Sequence, residues 1–208
     1  MADFQPNVRA LSAAAWRLRA ASPRPCPLPF ALTLFTDDRR QGDIEGLVAA
    51  LPKAMGDFPP LAIVFRHDGL AAAKREALAH RVRMVVQAKG HYFLMARGGL
   101  PGADGIHAPR RMQDRLGHMV SIPTHSLGEG LTGAMKGADL CFLSPVFPTA
   151  SHPGAASLGP ARAAAMASQL PLPVFALGGM NEMTARRLHG GLFQGIGAIG
   201  AFNSSTTA

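Results

Sequence analysis

The sequence predicts a single (β/α)8 barrel, in which eight parallel strands alternate with helices. Eight short apolar segments, several of them rich in β-branched residues, recur along the chain, as expected for strands buried on both faces of a parallel sheet. Helix-like segments separate several of them, which is typical of parallel strands joined by crossover connections. The 208 residues fit one large domain of this kind.

The predicted strands are short and are distributed over most of the chain. They are Phe30–Phe35, Leu61–Phe65, Tyr92–Ala96, Asp104–His107, Met119–Ile122, Leu140–Leu143, Pro173–Leu177 and Gly195–Ile199. An open doubly wound sheet is the alternative architecture. However, no Gly-x-Gly-x-x-Gly motif follows the first strand, where a dinucleotide-binding sheet would carry it.

Five helices are predicted between these strands. They are Ile44–Met55, Leu70–Gln87, Leu127–Lys136, Pro160–Gln169 and Asn181–His189, the last opening with an asparagine at an N-cap position. The gaps at 98–103 and 110–118 are too short for long helices.

Residues 1–29 are predicted to form an N-terminal helix and a proline-rich linker. Val8–Ala21 carries apolar residues on one face and Arg9, Arg17 and Arg19 on the other. We expect this helix to close the bottom of the barrel and to expose its arginines to solvent. Four prolines after the helix enforce an extended linker.

The barrel domain is predicted to span residues 30–202. The polar tail at 203–208 is too short for a packed helix, so the barrel is expected to lack its final helix.

Composition excludes several classes of protein. With 48% hydrophobic and 16% charged residues, the chain is neither disordered nor a coiled coil. Its two cysteines rule out a disulfide scaffold, and no Cys/His pair has zinc-ligand spacing. No apolar run approaches the roughly 20 residues of a membrane span. We therefore expect a cytoplasmic protein without membrane partners.

The net charge of +8 favours anionic partners. Small phosphorylated metabolites are the expected class. A nucleic-acid module is the weaker hypothesis, because only 6% of residues are aromatic and no RNA-binding motif accompanies the charge. The sequence leaves the oligomeric state open, a homo-oligomer included.

Functional residues of such a barrel lie at the carboxyl ends of its strands. The clearest signal there is Gly178-Gly179 after strand seven, with Ile199 and Gly200 after strand eight. Glycines allow close approach of an anion to the backbone, and amides at a helix start point toward it. The alternative is that the two glycines only form a tight turn.

The loop after strand six supplies further candidates for ligand binding. Thr149 and Ser151 carry hydroxyls that could donate to phosphate oxygens, and His152 could act as an acid, a base or a cation. Arg66 follows strand two and Arg97 follows strand three, where guanidinium groups suit anion recognition.

Arg66 also has a simpler interpretation, which is a salt bridge with Asp37 or Asp68. His107 and His125 are expected to be packed, hydrogen-bonded side chains rather than catalysts.

Taken in order, these segments resemble the thiamine phosphate synthase family and the related TenI-type thiazole tautomerases. The similarity spans about residues 32 to 202. It rests on Phe65-Arg66, Ala103-Asp104-Gly105-Ile106-His107, Thr124-His125-Ser126, Ala138-Asp139, Ser144-Pro145-Val146-Phe147-Pro148-Thr149, Ala176-Leu177-Gly178-Gly179-Met180 and Gly195-Ile196-Gly197-Ala198-Ile199.

The resemblance implies a transferase that joins hydroxymethylpyrimidine diphosphate to thiazole phosphate and releases pyrophosphate, with a magnesium ion on the leaving group. It places the thiazole phosphate on Thr149, Ser151, the Gly178-Gly179 turn and the last-strand amides of Ile199 and Gly200. It places the diphosphate and the pyrimidine near Arg66 and His152.

The diphosphate half departs from the family pattern. The family's Arg-x-Lys is Arg66-His67-Asp68 here, and its Asn-Asp pair falls on Ala96-Arg97. The second metal carboxylate falls on Met112, the strand-five serine becomes Pro123, and the strand-six lysine becomes His152. No motif-matched magnesium ligand is retained, so no metal-binding residue is predicted.

Three hypotheses follow. In a divergent synthase, Arg97, Arg110 or Arg111 neutralises the diphosphate in place of the metal. A thiazole tautomerase would need no magnesium, but its catalytic histidine position holds Pro145. A non-catalytic thiazole-phosphate-binding protein would retain the phosphate site alone. The synthase is the preferred hypothesis.

Overall fold

Eight parallel strands form a closed barrel in chain order, as the sequence predicts. The computed structural model describes residues 4–112, 118–149, 156–188 and 191–200. The strands are β1 (Leu32–Phe35), β2 (Ala62–Phe65), β3 (Tyr92–Ala96), β4 (Gly105–His107), β5 (Met119–Thr124), β6 (Leu140–Leu143), β7 (Val174–Ala176) and β8 (Gly195–Ala198). The barrel closes through β1 and β8, where Thr33 lies opposite Gly197.

Six helices are present in the described ranges. They are α1 (Phe4–Ala20), α2 (Ile44–Ala49), α3 (Ala72–Ala88), α4 (Leu127–Met135), α5 (Pro160–Gln169) and α6 (Glu182–Ala185). The connection between β3 and β4 contains no helix, which confirms that this gap is too short for one. None of the described helices combines the length and apolar character that a membrane crossing requires.

Two helices are shorter than the sequence predicts. The prediction extended α2 to Met55, but the helix ends at Ala49, because Pro52 lacks the N–H group needed to continue it. The prediction for α6 also ran too far, because only Glu182–Ala185 is helical and a turn follows. Its predicted end, His189, lies outside the described residues.

Side chains inside the barrel alternate between large and small. Phe35, Phe142 and Phe175 point inward from β1, β6 and β7 and pack edge to face, with ring centroids 4.9 and 5.7 Å apart. Gly197 on β8 leaves room for these rings, because a Cβ there would lie 3.0 Å from Phe35. A second apolar layer separates the strands from the helices.

The N-terminal helix α1 packs against β8, β1 and α6. Its buried residues Val8, Leu11, Ala15 and Leu18 join the core beside Ile196. β1 and β8 are the first and last strands of the chain, and a helix following β8 would pack between them. The helix α1 covers the sheet at that position. Residues after 200 lie outside the described part, so the predicted absence of a final helix is not tested.

Arg19 corrects the expectation of a uniformly solvated arginine face on α1. Arg9 and Arg17 are exposed, but Arg19 turns into the amino end of the barrel. Its guanidinium donates to the carbonyl oxygens of Gln194 (2.9 Å), Leu28 (2.5 Å) and Phe30. The reason is that these carbonyls need donors, and the arginine supplies several at once.

Candidate functional site

The carboxyl ends of β2 and β3 carry two arginines on adjacent strands. In the register of these strands, Phe65 lies opposite Met95, so Arg66 and Arg97 follow directly after the paired ends. Burial lowers the pKa of His107 at the end of β4, and the charges of both arginines lower it further. The structure therefore brings the two predicted arginines to the same side of the barrel mouth.

Arg66 is held from behind by the end of β1. Its Nε donates to the Thr36 carbonyl oxygen (3.2 Å) and an Nη group lies 3.3 Å from a carboxylate oxygen of Asp37. Its backbone N–H donates to the Thr36 hydroxyl (3.0 Å). The salt bridge considered in the sequence analysis is thus present, and the side chain still exposes 32% of its surface. A guanidinium has more donors than these two acceptors use.

Arg97 has a left-handed backbone conformation, with φ of 61°. Its N–H continues the strand ladder by donating to the His107 carbonyl oxygen (2.8 Å). Its Nε lies 3.2 Å from a carboxylate oxygen of Asp68, and 65% of the side chain is exposed. Left-handed backbone is unfavourable for a non-glycine residue and is concentrated at functional sites.

Arg75 is a residue of this site that the sequence reasoning missed. From the first turn of α3 it donates to the carbonyl oxygens of Ala96 (2.8 Å) and Arg66 (3.4 Å) and lies 3.2 Å from a carboxylate oxygen of Asp68. It thereby joins the ends of β2 and β3. Burial lowers the pKa of Arg75, while Asp68 opposes the shift.

A sequence signal for Arg75 exists. Lys74 and Arg75 both lie in the first turn of α3, which contains no acidic residue. Cations are unfavourable at a helix N-terminus, so an arginine there indicates a partner outside the helix.

His107, which lies near these arginines, is packed and neutral. His107 contacts Phe35 and Phe142, and its Nδ1 lies 3.0 Å from the Ser121 hydroxyl. Burial, followed by the charges of Arg66 and Arg97, lowers its pKa to about 3. The structure agrees with its interpretation as a packed side chain.

His67 and His125 are also hydrogen-bonded. Burial lowers the pKa of His67, and its Nδ1 lies 2.9 Å from the Thr36 hydroxyl. That hydroxyl also accepts from the Arg66 N–H, so it links the His67 ring to the backbone of Arg66. His125 Nδ1 lies 2.8 Å from the Ser144 carbonyl oxygen, so the predicted hydrogen bond is present. The residue is exposed, so the expectation of a packed side chain is wrong there.

Gly178 and Gly179 form a turn that fits closely against the loop after β6. Both have positive φ, 90° and 64°. A Cβ on Gly178 would lie 2.8 Å from Pro145, and a Cβ on Gly179 would lie 2.4 Å from the Pro148 carbonyl oxygen. Close packing of two loops thus explains why both positions are glycine, and the phosphate role of the turn stays a prediction.

The remaining predicted binding residues are distributed over the β6 and β8 ends. Thr149 is half-buried at the end of a described segment, whereas Ser151 and His152 lie outside the described residues. The Ile199 carbonyl oxygen accepts from Gln41 (3.4 Å), a buried glutamine that was also missed. Gly200 is exposed, with open space where a Cβ would be.

Arg110 and Arg111 line a groove beside the mouth rather than its centre. The groove has a volume of about 1010 Å³ and lies between the β4 end and α4, with Lys136 and Glu129 on its other wall. The charge of Arg110 still acts on Arg75. It therefore adds to the positive potential on the β2–β4 side.

The carboxylates at the mouth do not fit a magnesium ion. Asp37 pairs with Arg66 and Arg40, Asp68 pairs with Arg75 and Arg97, and the third carboxylate, that of Asp38, accepts from the Gly69 N–H. In the described ranges, no three His, Cys, Asp or Glu side chains come together as a metal-binding group. Magnesium requires several oxygen ligands, but guanidinium groups pair with Asp37 and Asp68, and Asp38 leaves a single carboxylate.

These features define a small parallel (β/α)8 barrel with a cationic rim at its carboxyl end. A sequence model of the family described as thiamine monophosphate synthase matches residues 32–202. The chain belongs to this family.

Individual relatives have low sequence identity. A protein of Aquifex aeolicus, provisionally named thiamine-phosphate synthase 2, is 30% identical over 48% of this chain, and the match spans 58% of that protein's length. The thiamine-phosphate synthase of Chloroflexus aurantiacus is 27% identical over 61% of this chain and 68% of its own length.

Solved structures support the fold. The thiamine phosphate pyrophosphorylase from Pyrococcus furiosus superposes with a TM-score of 0.71 and 22% identity, covering 84% of this chain and 88% of its own. The YdjI aldolase of Escherichia coli, at 12% identity, superposes over 93% of this chain and 80% of its own with a TM-score of 0.57. These similarities concern architecture alone.

Proposed function

We propose that this protein is a transferase that joins hydroxymethylpyrimidine diphosphate to thiazole phosphate and releases pyrophosphate. The proposal is supported by the positions of the predicted anion-binding residues, which follow strands on two opposite sides of one mouth. In a closed barrel of eight strands, β2 and β3 lie across from β6 and β7. Arg66 and Arg97 follow the first pair, and the loops carrying Thr149 and Gly178-Gly179 follow the second.

This arrangement suits a reaction between two phosphorylated substrates. The thiazole phosphate would bind at the β6–β8 side, through Thr149, Ser151, Gly178-Gly179 and the amides of Ile199 and Gly200. The diphosphate would bind at the β2–β3 side, with His152 reaching toward the pyrimidine. Each anion would then approach from its own side, so the reacting groups would meet over the barrel axis.

Release of pyrophosphate needs positive charge near the leaving oxygens. Arg66 supplies it from a side chain whose orientation is fixed by Thr36 and Asp37. A guanidinium held in this way loses little conformational freedom when it binds the anion. We therefore assign the main charge-stabilising role to Arg66.

The first test is synthesis of thiamine phosphate by the purified full chain from the two substrates. We expect product, and a loss of about 100-fold in rate for Arg66→Gln. The matched control is Arg81→Gln, because Arg81 is exposed on α3 and pairs with Glu45 (2.8 Å). Equal rates for Arg66→Gln and the parent protein would contradict the assigned role.

The phosphate side has its own arm in this test. Gly200→Asp places a carboxylate at an open position, so folding should be unaffected while thiazole phosphate binding is lost. Thermal protection by thiazole phosphate without any product would overturn the transferase and favour the binding protein. Isomerisation of a thiazole carboxylate phosphate, without formation of thiamine phosphate, would favour the tautomerase.

A further inference from the structure

We infer that Arg66 and Arg97 bind the diphosphate group directly, without a divalent cation, and that Asp68 competes with the ligand for the Arg97 guanidinium. The inference deepens the proposed function, on which it rests for the identity of the diphosphate substrate. It concerns the β2–β3 side of the mouth alone.

The first argument is that the carboxylates at the mouth already have hydrogen-bond or salt-bridge partners. The described aspartates at the mouth already have guanidinium or amide partners. To bind Asp37 or Asp68, a divalent cation would have to displace Arg66 from Asp37, or both Arg75 and Arg97 from Asp68. Asp38 offers one further carboxylate, which accepts from the Gly69 N–H. An anion needs no such displacement at Arg66, because the guanidinium retains unused donors.

The second argument is the balance of charge. Within the described part of the chain, the groups in contact or electrostatic interaction here are Arg40, Arg66, Arg75, Arg97 and Arg110 against Asp37, Asp38 and Asp68. Five cations and three anions leave two positive charges in excess. A ligand with several anionic oxygens, such as a diphosphate, would neutralise this excess, whereas a metal dication would increase it.

The third argument is the position of the Arg97 side chain. Its left-handed backbone is not specific to a ligand site, because Ala108, directly after β4, also has a positive φ of 49°. The Arg97 side chain itself extends from the end of β3 with 65% of its surface exposed and its Nε 3.2 Å from Asp68. Its remaining guanidinium donors are therefore available to an anion at the mouth.

Arg75 explains how the two guanidinium groups keep their spacing. It donates to the carbonyl oxygens of Arg66 and Ala96, the latter directly before Arg97. This half-buried side chain links the two strand ends beneath the proposed ligand. A diphosphate offers oxygens on two phosphorus atoms, so it can accept from both guanidinium groups at once.

The test is titration calorimetry of the full chain with inorganic pyrophosphate, in EDTA and in Mg²⁺. We expect binding in EDTA, with no gain in affinity from Mg²⁺. Binding that requires Mg²⁺ would overturn the inference. Absence of binding under both conditions would overturn it as well.

Two variants sharpen the result. Arg97→Gly should weaken pyrophosphate binding at least about tenfold while leaving the melting temperature unchanged or raised, because it relieves the left-handed backbone. Asp68→Asn should strengthen binding several-fold in EDTA, since it removes a competing negative charge. Were Asp68 a metal ligand, the same variant would weaken binding in Mg²⁺, which is the opposite sign.

Arg81→Gln is again the control, because it removes one positive charge away from the mouth. The calorimetric result is separable from the proposed function. Pyrophosphate binding in EDTA without thiamine phosphate synthesis would retain this inference and reject the transferase. If both thiamine phosphate synthesis and pyrophosphate binding required Mg²⁺, the transferase would be retained and this inference rejected.

Discussion

His107 is a buried imidazole at the end of β4, enclosed by Phe35 and Phe142. Its pKa of about 3 lies below the ordinary value of 6.5. Between these pH values the unfolded chain therefore binds a proton that the folded chain does not bind. By linkage, the free energy of unfolding falls as the pH is lowered through this window. One such group contributes at most about 1.4 kcal/mol per pH unit.

We therefore expect a steep loss of stability between pH 6.5 and 4, measured by urea unfolding at a series of pH values. His67 and His91 act in the same direction, because burial also lowers their pKa. His107→Gln should reduce the slope, whatever its effect on stability at pH 7. Identical slopes for the variant and the parent protein would contradict the assignment.

Individual side chains at the mouth were only partly predictable. Arg66 could be found because it follows an apolar strand, and a salt bridge with Asp37 or Asp68 was the stated alternative. Arg75 was missed because attention went to strand ends, whereas it lies inside a helix and reaches back to two strand ends. The left-handed backbone of Arg97 has no sequence signature, since arginine rarely adopts it.

At the scale of elements, the turn after β7 is held closely against the loop after β6. Its carbonyl oxygens accept from amides of that loop: Val146 donates to the Leu177 oxygen (2.9 Å), and Phe147 donates to the Gly178 oxygen (3.1 Å). This pairing requires the small glycines. It therefore fixes one side of the mouth before any ligand binds.

Gly179→Ala is expected to destabilise the protein by about 2 kcal/mol or more, because its Cβ would collide with the Pro148 carbonyl oxygen. Gly200→Ala is the matched control, since nothing lies within 4 Å of a Cβ there. Urea or thermal unfolding of the two variants measures the difference. Equal stabilities would show that the β6 loop can move away from the turn.

Strand bounds were predicted to within two residues, whereas helix lengths were uneven: α5 matches its predicted bounds, and α2 and α6 are much shorter than predicted. The bounds of β3 and β6 match the sequence prediction residue for residue, because a strand buried on both faces is a continuous apolar run between turns. α6 was overestimated because its N-cap asparagine is a strong start signal, whereas no comparable residue marks its end. Start signals act locally, while helix length depends on packing that the sequence does not display.

At the scale of the whole molecule, α1 is part of the barrel rather than an appendage. Arg19 connects it to backbone groups from the linker and from the segment before β8. The side chain also lies over the rings of Trp16 and Phe175, at 4.9 and 5.7 Å. This half-buried cation, paired with backbone oxygens, is unlike a solvated arginine face.

Arg19→Met should cost about 3 kcal/mol, because the carbonyl oxygens of Gln194, Leu28 and Phe30 would lose a charged donor. Arg17→Met is the control, since Arg17 is exposed and donates only to Ala13 in its own helix. Chemical unfolding of both variants shows whether Arg19 stabilises the fold through these carbonyl oxygens or behaves as a solvated arginine. A small effect for Arg19→Met would mean that water replaces the guanidinium there.

The contact between Arg19 and Gln194 joins residues 175 positions apart. A ribosome adds about 5–20 residues per second. Roughly 9–35 s therefore pass between the synthesis of Arg19 and that of Gln194, which directly precedes β8. During that time the apolar face of α1, with Leu11 and Leu18, has no β8 to pack against. The nascent chain therefore carries an amphipathic helix whose apolar face has no packing partner in the barrel until β8 has been synthesised.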